Sequence, residues 1–196
     1  AKGYRPLAVW ENGFRQITNN ERPINVPADL EGLKIRTPNS SWRVSMFEAW
    51  GANPTPMAFS EVFVALQTGV IDGQENPLTN IAGAKFEEVQ EYLSMTGHVY
   101  SPAYPTVGVE TFAKLDPEIQ SILTETAQEV AVWAREQGAS QDEELLTKLK
   151  DAGMVVNVAD RAAFVDASKP IYEKFATEVE NGQAMIDEAL ALADGS

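Results

Sequence analysis

Between Leu33 and Asn76 the hydrophobic pattern switches repeatedly between strand and helix spacing, and no other stretch constrains the fold as tightly. Leu33-Lys34-Ile35-Arg36 reads as a strand closed by Pro38, because proline cannot donate to a ladder. Ser40 or Ser41 can cap a helix that puts Val44, Phe47 and Trp50 on one face and stops at Gly51. Thr55 to Phe59 is extended again. Ser60 then caps a helix begun by Glu61, which should bury Phe63, Val64 and Leu66 and stop at Gly69, and Val70-Ile71 is long enough only for a strand. Strand, helix, strand, helix, strand over so short a run is the pattern of an α/β sheet with crossover connections.

The flanks agree with that class. Arg5 to Trp10 reads as a short buried strand ended by the turn signal Glu11-Asn12-Gly13, and Pro23 and Pro27 keep the next connection irregular. A helical stretch is expected over Ile81 to Tyr92 and a strand over Leu93 to Tyr100. Asp116-Pro117 is a strong helix start, an N-cap followed by proline at the first helical position. Ile119, Ile122, Leu123, Ala127, Val130 and Ala134 keep helical spacing after it, and the pattern runs on toward Lys150, with Gly138 able to bend it. Met154 to Val158 reads as a late strand, Arg161 to Val179 as a helix interrupted at Pro170, and Gln183 to Ser196 as a last helix.

Several function classes fall away on composition. A formal net charge of −14 repels phosphate backbones and anionic lipid, so nucleic acid and membrane-surface roles are disfavoured. The chain has no cysteine, hence no disulfide, thiolate metal site or cysteine nucleophile, which fits an oxidising compartment. No apolar run approaches the roughly 20 residues of a membrane span, so direct membrane insertion is not expected. Ala1 stands at the start with no signal peptide before it, the mark of a processed or trimmed chain.

Enzyme and metal constellations are sparse. His98 is the single histidine, so a two-histidine zinc site is impossible and any Ser-His pair must use it. Its apolar neighbourhood, Gly97-His98-Val99-Tyr100, favours a hydrogen-bonded structural role. Asp72 to Asn76 resembles a calcium loop only superficially, since Pro77 occupies the position that needs glycine. Asp142-Glu143-Glu144 reads as a solvated helix face. Neither a metal nor a cofactor is called for.

What remains is a set of cationic and amide groups where open α/β sheets bind ligands, beyond the carboxyl ends of strands. Arg36 ends a strand and Asn39 follows it at the mouth of a helix; Asn76 follows Val70-Ile71, Arg15 follows the first strand and its turn, and Phe59 precedes Ser60 at a strand-to-helix junction. A guanidinium can grip a carboxylate through two parallel hydrogen bonds, amides add donors, and a phenylalanine can wall the apolar part of a small ligand. One arginine at a strand end is usually a surface charge, and one asparagine near a turn is usually a cap. The residues by themselves therefore reach an α/β domain with an option on anion binding.

The run Gly32-Leu33-Lys34-Ile35-Arg36-Thr37-Pro38-Asn39, followed by Gly51 to Gly69 (GANPTPMAFSEVFVALQTG) and Val70-Ile71-Asp72-Gly73-Gln74-Glu75-Asn76-Pro77, resembles the solute-binding proteins of TRAP transporters, the tripartite ATP-independent periplasmic systems of the DctP family. Glu11 to Gln16 upstream and Thr96 to Pro102 downstream continue the resemblance over essentially the whole chain. It implies an α/β fold of the periplasmic-binding-protein type II kind: two lobes around a cleft, joined by a long helix that the stretch from Asp116 onward resembles. Arg36 matches the family's carboxylate-binding arginine, Arg15 a second cleft arginine of sialic-acid binders, Asn76 the carboxylate-contacting asparagine, Phe59 the cleft phenylalanine, and Asn39 the asparagine after the arginine strand.

The implied function is capture of a small organic acid, a sugar acid slightly before a C4-dicarboxylate, and its delivery in the periplasm to TRAP permease membrane subunits. Family members are longer by on the order of a hundred residues, so the expectation is a chain lacking most of the first lobe. Residues 1–11 would then be the end of lobe I and the hinge, 12–101 lobe II, 102–141 the returning lobe I segment and spanning helix, and 142–196 the completion of lobe II. The alternatives are an α/β enzyme acting on a carboxylate substrate, for which His98, Tyr100, Tyr104 and the carboxylates are the available groups, and a receptor-type subunit that reports ligand to a sensor.

Overall fold

Ser40 opens the first long helix as its sequence predicts, accepting a hydrogen bond on its hydroxyl from the Arg43 amide. The computed structural model describes residues 3–194. In chain order the elements begin with β1 (Tyr4–Pro6), β2 (Trp10–Asn19), β3 (Lys34–Thr37), α1 (Ser41–Ala49), β4 (Asn53–Pro56), α2 (Val62–Gln67), β5 (Gly73–Pro77), α3 (Leu78–Gly83) and β6 (Tyr92–Met95). There follow β7 (Tyr100–Ala103), β8 (Thr106–Gly108), α4 (Val109–Ala113), α5 (Pro117–Asp151), β9 (Val155–Val158), α6 (Arg161–Ala167), α7 (Lys169–Glu178) and α8 (Gly182–Asp194). Single 3-10 turns lie at Pro27–Leu30, Phe59–Glu61 and Phe86–Glu88. Contacts divide the chain into two units: residues 1–15, 76–87 and 99–154, and residues 16–75, 88–98 and 155–196.

In the second unit β3 pairs in parallel with β4 and with β5, and α1 and α2 are the crossovers between these strands. The later half of β2 pairs antiparallel with β6, and β6 pairs in parallel with β9. Phe47, Trp50 and Phe164 fill the core under α1, with ring centroids 5.0 and 4.9 Å apart in edge-to-face contacts. In the first unit β1 pairs with β8, the early half of β2 pairs with β7, and the Trp10 indole donates to the Ala127 carbonyl of α5 at 2.8 Å. The 35-residue α5 runs unbroken from the Asp116-Pro117 start through Gly138.

Several sequence expectations are corrected: in place of a buried strand over Arg5–Trp10 stands the short, exposed β1, the helix expected over Ile81–Tyr92 ends at Gly83, and the strand expected over Leu93–Tyr100 divides into β6 and β7. Val70-Ile71 is a bend, and the strand is the polar Gly73–Pro77, all five residues buried. Burial of Gln74, Glu75 and Asn76 removes the apolar signal on which strand recognition rests, and the strand needs Gly73 because a Cβ there would lie 2.3 Å from the Thr18 carbonyl oxygen. The helix after Gly51 buries Val62, Ala65 and Leu66 and leaves Val64 exposed, because the 3-10 turn at Phe59–Glu61 shifts its start and so its phase. Glu11-Asn12-Gly13 is no turn but an irregularity within β2, where the register slips between Trp10 and Gly13 and Gly13 adopts φ +113°.

Candidate ligand-binding site

The second unit carries Arg36, Phe59 and Asn39. Arg36 sits on β3 with Thr55 and Gln74 opposite it on the two neighbouring parallel strands, and it is 4% exposed. A strand-end arginine read as a surface charge is therefore a buried cation. Its Nε and Nη2 both donate to the Met57 carbonyl oxygen, at 3.1 and 2.7 Å, and its guanidinium carbon lies 5.8 Å from the centre of the Phe59 ring. The carbonyl fixes the plane of the guanidinium, and the ring face supplies further favourable electrostatics. Asn39 is exposed in the loop between β3 and α1.

The first unit carries Arg15 and Asn76. Both are buried polar residues, on β2 and β5 respectively. Arg15 Nη2 donates to Asn76 Oδ1 at 3.0 Å, Nη1 donates to Ser101 Oγ at 3.4 Å, and the Arg15 amide donates to the Val99 carbonyl at 2.8 Å. Accepting from Arg15 turns the Asn76 amide so that Nδ2 is its donor end. Sequence reasoning thus named both guanidiniums but missed the groups that hold them. Met57 acts through its main chain and leaves no residue-type signal, whereas Ser101 lies opposite Gly13 in the β2–β7 register, two residues from Arg15.

His98 takes the structural role expected of it. Its Nδ1 lies 2.7 Å from Thr96 Oγ1 and its Nε2 3.1 Å from Glu75 Oε2, while Phe47 and Trp50 pack edge-on against the ring at 5.7 Å. Arg43 approaches the same Glu75 oxygen at 3.6 Å, so one buried carboxylate is shared by two nitrogen-bearing side chains. A hollow of about 420 Å³ in the first unit has the wrong charge for an acid, being lined by Glu11, Asp142 and Glu144 beside Trp133 and Gln137. Burial, and then the neighbouring Glu11, push the Asp142 carboxyl above the ordinary carboxylate range. Among the described residues no group of three or more His, Cys, Asp or Glu side chains is placed to hold a metal ion, and no helix is long and apolar enough to cross a membrane.

Residues 1–178 match the profile of the bacterial extracellular solute-binding proteins, family 7, called DctP. The chain belongs to the DctP family. The 2,3-diketo-L-gulonate-binding periplasmic protein YiaO of Escherichia coli is 42% identical over 187 residues, which are 94% of this chain and 57% of that protein. A TRAP periplasmic solute-binding protein from Polaromonas sp. JS666, solved bound to D-erythronate, is 42% identical with a TM-score of 0.85, covering 90% of this chain and 59% of that one. One from Roseobacter denitrificans with bound L-galactonate is 41% identical with a TM-score of 0.87, covering 95% and 61%. The chain therefore spans about three-fifths of the length of these DctP relatives. The α/β binding-protein fold read from the sequence is the fold of these structures, and the family is one of solute-binding proteins rather than enzymes.

Proposed function

We infer that this protein captures a small organic acid, a sugar acid or related hydroxy monocarboxylate, outside the cytoplasm and delivers it to a TRAP membrane permease. The observation that carries this reading is the buried Arg36 guanidinium, held in one plane by the Met57 carbonyl and faced by the Phe59 ring. A ligand carboxylate that reaches a buried guanidinium held in one plane forms a charge-assisted, geometrically specific pair with it. Arg36 is the proposed carboxylate partner. Arg15, Asn76, Asn39 and Phe59 are the proposed further ligand contacts, Asn76 through its Nδ2 donor. The relatives with bound D-erythronate and L-galactonate, and the diketogulonate-binding YiaO, support sugar acids over C4-dicarboxylates. In lobe terms, residues 12–101 with 142–196 are proposed as lobe II, and residues 1–11 with 102–141 as lobe I material.

Isothermal titration against D-glucuronate, L-galactonate, D-erythronate and succinate tests the reading. Sugar acids are expected to bind more tightly than succinate, and Arg36→Ala to weaken binding by roughly 2–4 kcal/mol. Equal affinity for succinate overturns the ligand class, and unchanged binding by Arg36→Ala overturns the role of Arg36. Turnover of any of these acids would favour an enzyme instead, but His98 is already engaged with Thr96 and Glu75.

A further inference from the structure

The Met57–Ala58 peptide group is held at both ends. Its carbonyl oxygen accepts from Arg36 Nε and Nη2, at 3.1 and 2.7 Å, and its N–H, on Ala58, donates to Glu61 Oε2 at 3.1 Å. The Glu61 amide donates back to the Ala58 carbonyl at 3.1 Å, closing the turn on itself. A trans peptide is planar, so fixing the direction of its N–H fixes the direction of its C=O. A carboxylate at one end and a guanidinium at the other also polarise the peptide in the same sense, which strengthens both hydrogen bonds. Phe59, whose ring faces the guanidinium at 5.8 Å, lies in the same turn, between Ala58 and Glu61.

We propose that Glu61 is a positioning residue for acid recognition: its carboxylate holds the Met57–Ala58 peptide plane and the Phe59 turn against Arg36, and so sets the orientation of the guanidinium. Glu61 is itself exposed and contributes through the turn alone, with no part in contacting the ligand. The proposal rests on Arg36 being the carboxylate clamp, and it adds a residue whose charge is opposite to anything an acid would select. The sequence offers a reason for the choice. A residue with a carboxylate or amide oxygen at the third position of such a turn is the one whose side chain reaches back to the preceding amide, and Glu61 stands there.

The test is a double-mutant cycle on the 196-residue chain with D-glucuronate as probe, joined to a ligand-free measurement. Glu61→Ala is expected to weaken binding roughly three- to tenfold, the worth of one hydrogen bond, while Glu61→Gln, which keeps an acceptor oxygen, stays within about twofold of the parent. In an Arg36→Lys background, which lacks the fork that Met57 grips, Glu61→Ala should add less than about a twofold loss. An equal loss in both backgrounds, or a Glu61→Gln as weak as Glu61→Ala, overturns the proposal. If Arg36→Lys alone leaves affinity unchanged, the clamp reading fails, and Glu61 is then judged without ligand. Proton exchange at Arg36 Nε, followed by nitrogen-15 NMR, should accelerate in Glu61→Ala and not in Glu61→Gln. Exchange that is the same in all three proteins overturns the positioning role, whether or not D-glucuronate binds.

Discussion

Replacing Asn76 by aspartate should separate stability from binding. Asn76 Oδ1 accepts from Arg15 Nη2 at 3.0 Å in a buried setting. With a carboxylate in its place that bond, already charge-assisted by the guanidinium, becomes a full ion pair and strengthens by about 1 kcal/mol, offset in part by the desolvation of the new charge. Melting temperature should therefore hold or rise. Asn76→Ala instead removes a buried acceptor of the Arg15 guanidinium and should cost about 1–3 kcal/mol. Binding runs the other way. Asn76→Asp adds a negative charge beside Arg15 and removes the Nδ2 donor, and with the ligand acid at Asn76 as proposed it sets a carboxylate beside that acid. Like charges about 4 Å apart repel by about 4 kcal/mol at an effective dielectric near 20, so the affinity loss should reach one hundredfold or more. Differential scanning fluorimetry and titration with D-glucuronate read the two quantities. An Asn76→Asp protein that binds as well as the parent, or an Asn76→Ala protein that melts at the parent temperature, would refute the reasoning.

Three further outcomes follow from individual side chains. Burial first, then the hydrogen bond it donates to Glu11 at 2.7 Å, pushes the Tyr100 phenol up to about 12. Its stabilising contribution is complete below the ordinary tyrosine range and is lost as pH rises through about 12, so the melting difference between parent and Tyr100→Phe should be flat to about pH 9 and then shrink. Asp142 has a raised carboxyl, so ionising it works against folding, and its favourable contribution is present at low pH and lost as pH rises past the ordinary aspartate value. Asp142→Asn should raise the melting temperature at pH 7 and leave it unchanged near pH 3; the reverse pattern would contradict the assignment. Thr37 is fully buried, and among the described residues its hydroxyl oxygen has no hydrogen-bond partner, so Thr37→Val should be neutral or stabilise by up to about 1 kcal/mol in chemical denaturation, and a clear loss would reveal a bonded hydroxyl.

The elements that the sequence made legible are those whose signals are local. Ser40, Gly51 with its φ of +85°, and Asp116-Pro117 mark helix ends through the backbone's own requirements, and all three stand where they were read. The β5 strand was not legible, because its residues are buried by polar partnerships that no periodicity reports: Gln74 donates to Thr18, Glu75 meets His98, and Asn76 accepts from Arg15. The candidate site divides in the same way. Arginine, asparagine and phenylalanine at strand ends are visible as residue types, and the family motif made them specific. The Met57 carbonyl and the Glu61 turn are invisible as types, since one is main chain and the other reads as the first residue of a helix.

A crystal structure of the chain grown with D-glucuronate tests the central claim most directly. The account predicts the ligand carboxylate within about 3 Å of the Arg36 guanidinium, with the Met57 carbonyl still gripping Nε and Nη2. A carboxylate bound elsewhere, with Arg36 touching only protein, would contradict it.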